Sequence, residues 1–73
     1  MGLALKPREL INFLEDNGFR FERQNGTSHA MYKKGNRQVP VPIHAKDIKI
    51  GTLSSMLRQA GLSRKELEVW LGR

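Results

Sequence analysis

At Asn17-Gly18 the spacing of apolar residues changes from three-and-four to two, which restricts the chain to folds where a helix is followed directly by strands. Before the switch, Leu10, Ile11, Phe13 and Leu14 make an amphipathic stripe over residues 7–17. Pro7 suits the first helical position, where a missing N–H costs nothing, and Gly18 is placed to end the helix in a left-handed conformation. Lys6 is a poor N-cap, so the start is less well defined. After the switch, Phe19, Phe21 and Arg23 alternate with Arg20, Glu22 and Gln24, as in a strand.

Asn25-Gly26 is a hairpin signal because both residues tolerate positive φ. A second strand is expected over about residues 27–33, a turn at Lys34-Gly35-Asn36, and a short third strand over 37–41. Pro40 and Pro42 cannot donate to a ladder, so this strand should lie at an edge or stop early. Residues 43–50 read as a loop. A helix begins near Gly51 or Thr52, capped by Thr52 or Lys49, buries Leu53, Met56, Leu57 and Ala60, and stops at Gly61. Ser63 and Glu66 have the spacing of a capping box for a last helix with Leu67, Trp70 and Leu71 on its apolar face. The expectation is a single α+β domain over residues 1–73, ordered α–β–β–β–α–α, with helices on one face of a three-stranded antiparallel sheet. Met31 and Tyr32 are adjacent and cannot both face the helices. The sequence leaves open which does, and His29 shares the side of Met31.

With 73 residues and no cysteine, the core must come from aliphatic side chains, Phe and Trp70, and burial against a partner protein would add stability. The apolar runs are too short for a membrane span, and Met1 to Leu5 lack the basic region and length of a signal peptide, so a cytoplasmic protein is expected. The net charge of +6 is uneven: −1 over residues 1–18, +5 over 19–50 and +2 over 51–73. A field focused in this way favours an anionic partner.

In the middle of the basic stretch stands Gly26-Thr27-Ser28-His29. Free imidazole titrates near pH 7, with a pKa of about 6.5, so it can take or give a proton. The two histidines, His29 and His44, lie in separate segments with no carboxylate cluster, which argues against a metal site. Ser28 and His29, as neighbours on a strand, should point to opposite faces and so form no nucleophile–base pair. The glycines match no phosphate-loop spacing. RNA offers a lone histidine a reaction, because its 2′-hydroxyl can attack the adjacent phosphodiester once a base assists. The alternative for His29 is a surface histidine hydrogen-bonded in a turn.

The chain resembles HicA-type toxins, small mRNA interferases of toxin–antitoxin pairs. The likeness is carried by Glu9-Leu10-Ile11 and Leu14, Asn17-Gly18-Phe19, Arg23-Gln24, Gly26-Thr27-Ser28-His29, Val41-Pro42 with His44, Gly51-Thr52-Leu53, Leu57-Arg58 and Gln59-Ala60-Gly61-Leu62-Ser63. Each piece is weak alone; in order and at similar spacing they are specific. The resemblance implies a double-stranded-RNA-binding-domain-like α-β-β-β-α fold with a short extra C-terminal helix. It implies a type II toxin that cleaves mRNA without metal or cofactor and arrests translation and growth, silenced by a HicB-type antitoxin. His29 maps onto the family's catalytic histidine. Many members have Gly-Ser-His, where this chain has the turn Gly26, Thr27, Ser28. His44 falls in a Val-Pro-x-His segment, as a loop anchor or a second catalytic group. Lys33, Lys34, Arg37, Lys46 and Lys49 are assigned to RNA phosphates, and Trp70 to the core or the antitoxin interface. Two other functions compete: a non-catalytic module for double-stranded RNA, which recognises duplex shape, and a DNA-binding helix-turn-helix over residues 53–71.

Overall fold

The computed structural model describes residues 4–72; residues 1–3 of the apolar start and the Arg73 charge lie outside the described residues. Its elements are α1 (Pro7–Asp16), β1 (Arg20–Asn25), β2 (His29–Lys34), β3 (Arg37–Pro42), α2 (Ile50–Ala60) and α3 (Arg64–Trp70). The strands form one antiparallel sheet in the order β1-β2-β3, so the α+β layout read from the sequence is the observed one. Among the described residues no helix is long and apolar enough to cross a membrane.

Local chemistry sets the helix ends. Lys6 occupies the N-cap of α1 without a side-chain cap, and Glu9 Oε1 accepts its N–H at 3.0 Å instead. Gly18, at φ 93°, turns the chain out of α1, and Phe19 N–H closes back on Leu14 O at 2.9 Å. Ser63 and Glu66 form the expected reciprocal capping box at the start of α3, each bond 3.0 Å.

One face of the sheet makes the core. Ala30, Tyr32, Val39 and Val41 pack with Leu10, Phe13 and Leu14 of α1, Leu53 and Leu57 of α2 and Leu67 of α3. Each large side chain fully buried in this way contributes about 1.5–3 kcal/mol. Trp70 is half-buried, edge-on to Phe13 with centroids 5.4 Å apart, and its Nε1 donates to Asp16 Oδ2 at 2.6 Å, which pins α3 to α1.

Register decides the facing that the sequence left open. Tyr32 pairs with Val39 and Ala30 with Val41, on the helix side, whereas His29 pairs with Pro42 and Met31 with Pro40, on the outer side. Met31 is nonetheless buried, outside the main cluster. The uniform alternation expected for β1 is broken by a bulge between Phe21 and Arg23. Phe21 pairs with Tyr32 but Arg23 with Met31, so these two residues lie on opposite faces, because the extra residue shifts the pleat by one.

Pro40 and Pro42 lie in an edge strand, as expected, yet β3 continues through both. Ile43 N–H donates to Ser28 O at 2.9 Å, and the alternation of an antiparallel ladder then directs the nitrogens of Pro40 and Pro42 outward. The missing N–H groups therefore cost no ladder bond and blunt the edge against another strand.

Candidate functional site

The first hairpin places His29. Asn25 and His29 are its closing pair, so Gly26-Thr27-Ser28 is a three-residue turn and not the two-residue turn expected at Asn25-Gly26. Among the described residues only glycines have positive φ; Gly26, at 70°, supplies it here and Asn25 does not, which rules out a turn needing two such residues in succession. The second strand accordingly starts at His29, two residues later than expected.

That shift overturns the argument separating Ser28 from His29. Ser28 belongs to the turn, where strand alternation does not apply, and its Oγ lies 3.1 Å from His29 Nδ1. With Nδ1–H donating to the serine, Nε2 carries the lone pair that a general base needs. With the serine O–H donating to Nδ1, Nε2 carries the proton that a general acid needs. In both cases the hydroxyl holds the ring.

His29 opens into a groove of about 480 Å³ between β3 and α2. It reaches the groove across β3, beside its partner Pro42. The opposite wall is α2, with Thr52, Ser55, Met56 and Gln59, and the end is closed by Asp47, Ile48 and Lys49 of the preceding loop. Lys49 is the N-cap residue of α2 and offers the helix no side-chain cap. Its charge therefore adds to the positive end of the helix dipole. Asp47 is the one carboxylate among the lining residues, and it lies 3.9 Å from Lys6 Nζ.

The loop is held by main-chain bonds. Ala45 N–H donates to Pro42 O at 3.1 Å, and Leu5 and Ile48 exchange two bonds of 3.2 and 2.6 Å that bring the buried Ile48 side chain down. His44 is exposed in the turn after β3 and does not line the groove.

The five basic residues assigned to RNA scatter. Lys49 shares the groove with His29, and Lys46 is an exposed loop residue directly before Asp47. Lys33 lies on the outer face with His29 and Met31, 3.6 Å from Glu22, which also pairs with Arg23 at 2.8 Å. Lys34 and Arg37 flank the turn at the far end of the β2–β3 hairpin. Lys34 Nζ donates to Asn17 O at 2.8 Å, just past α1, and Arg37 Nη1 to Gln59 O at 3.4 Å, near the end of α2. They line a second concavity with Gly61 and Leu62, apart from His29. No spacing in the sequence distinguishes these groups, since helix ends and groove are assembled only by the fold. Thr52, Ser55 and Gln59 were missed as groove residues; their three- and four-residue spacing with Met56 was the available signal.

Fold and site together define a small basic α–β–β–β–α domain with one imidazole set in a groove beside a helix start. The family model described as HicA toxin of bacterial toxin-antitoxin matches residues 7–62, more than half of the chain, from the first residue of α1 to just beyond α2. The chain belongs to the HicA toxin family: it is the toxin of a toxin–antitoxin pair, with a cognate antitoxin as partner. No curated protein matches it.

Proposed function

We propose that this toxin is an endoribonuclease that cleaves mRNA without a metal, using His29 as general acid or base, and so arrests translation and growth. The observation that supports it is the shared groove of His29 and Lys49, a proton-transfer group beside a cation at a helix start.

In this reading, the RNA strand enters the groove with a phosphodiester near Lys49. The 2′-oxygen bonds to phosphorus and the bond from phosphorus to the 5′-oxygen breaks, leaving a 2′,3′-cyclic phosphate and a 5′-hydroxyl. One proton leaves the 2′-oxygen and one reaches the 5′-oxygen, and His29 Nε2 performs one of these transfers. Ser28 positions the ring through Nδ1. Lys49, with Lys46 nearby on the loop, offsets the charge that builds up on the phosphorane. A HicB-type antitoxin is the partner that silences the site.

The test is cleavage of single-stranded RNA in EDTA by the purified chain and by His29→Ala. The variant should lose about 10²–10⁴-fold in rate with an unchanged circular dichroism spectrum, and the parent's products should carry cyclic phosphate ends. A folded His29→Ala protein that cuts like the parent would contradict the proposal, and so would a parent that binds RNA and cuts neither single strands nor duplex.

A further inference from the structure

The groove continues beyond His29. Gln59 O, near the end of α2, accepts from Arg37, the first residue of β3, so α2 runs back along β3. His29 and its partner Pro42 therefore lie toward the Lys49 end, and Pro40 toward the Gln59 end. At 1.5 Å per residue, the wall from Lys49 to Gln59 spans roughly 15 Å, more than a single phosphate occupies.

Thr52, Ser55, Met56 and Gln59 form one stripe along this wall. A polar stripe is ordinary on an amphipathic helix and by itself indicates no ligand. Here it faces a second wall, made of Pro40 and Pro42, across a cleft of about 480 Å³, within the range of roughly 300–1,000 Å³ usual for small-molecule sites. Among the described residues, the side chains of Ser55 and Gln59 take part in no hydrogen bond. An apolar wall of prolines facing Met56 and a few uncommitted polar groups suits a flat heteroaromatic ring. The walls take its faces, and a primary amide offers a donor and an acceptor side by side to its edge.

We propose that this half of the groove is a base-recognition subsite, in which Gln59 and Ser55 hydrogen-bond the edge of a nucleobase next to the phosphodiester at His29. The proposal rests on the ribonuclease reading and deepens it, since it makes cleavage selective for sequence. Gln59 dominates because its amide can make two bonds at once, whereas the Ser55 hydroxyl adds one. A base edge with a donor beside an acceptor is the matching partner.

The experiment uses His29→Ala protein, which keeps the RNA intact, and four single-stranded homopolymer RNA oligonucleotides differing only in base. This protein should prefer one of them. Adding Gln59→Ala should lower that affinity roughly tenfold and bring the four together, and Ser55→Ala should have a smaller effect in the same direction. Gln59 is exposed, and alanine keeps the carbonyl that Arg37 uses, so the thermal midpoint should stay put. In the chain that retains His29, Gln59→Ala should redistribute the cleavage positions along a mixed-sequence RNA. Equal affinities before the Gln59 change, or a preference that survives it with unchanged cut sites, would overturn the subsite. Gln59-dependent preference in a chain that cuts no RNA would uphold the subsite and overturn the ribonuclease reading instead.

Discussion

At one end of the seam between β3 and α2, Lys34 and Arg37 reach carbonyls at or near helix C-termini; at the other, Lys49 stands before a helix N-terminus beside His29. The carbonyls at a C-terminus carry partial negative charge, so a cation there is largely answered by the protein itself. At an N-terminus the helix adds to the cation, and an external anion is what answers both. Equal charges on one seam thus sit in different fields: the first pair is answered by main-chain carbonyls, while Lys49 adds to the positive end of α2, where the proposed function puts the RNA phosphate. A count of lysines and arginines does not separate the two.

The largest effect that would probe this contrast is expected at Gly61. Its φ is 73°, and a Cβ there would stand 2.5 Å from Arg37 Cζ. Gly61→Ala should cost about 1–2 kcal/mol from the left-handed conformation and push the guanidinium off Gln59 O. Denaturant unfolding should register the loss, with RNA cleavage per folded molecule unchanged. A fall in cleavage by the folded fraction would bring the Arg37 end into the reaction.

A smaller effect is expected on the inner face of the strand that carries His29. Burial raises the Tyr32 phenol pKa above its ordinary value, and Glu15 adds to the shift. The group's contribution to stability is fully present below the unfolded value of about 10 and is lost as pH rises through the higher folded value. Tyr32→Phe should therefore flatten the decline in stability at alkaline pH, read from urea midpoints across that range. An equally steep decline in the variant would show that other groups cause it.

Much of this was legible in the sequence because it rests on local chemistry. Pro7, Gly18, Gly61 and the Ser63–Glu66 box mark helix ends through φ and capping, and Pro40 with Pro42 marks an edge strand. The facing of His29 was not legible. It depends on Tyr32, not Met31, joining the helix-side cluster, though both are buried. The contact between Ser28 and His29 was hidden for a related reason, since it exists only because the strand begins after Ser28. The roles of Lys34 and Arg37 rest on contacts 17 and 22 residues away in sequence, beyond any local pattern.

The most direct test of the contrast is the salt dependence of single-stranded RNA binding by Lys49→Ala and Lys34→Ala, each in the His29→Ala background. Loss of one phosphate contact lowers the slope of log affinity against log salt by about 0.7 for single strands. The account predicts that drop, with weaker binding, for Lys49→Ala, while Lys34→Ala keeps the parent slope and loses only stability. The reverse pattern, or an equal drop in both, would contradict it.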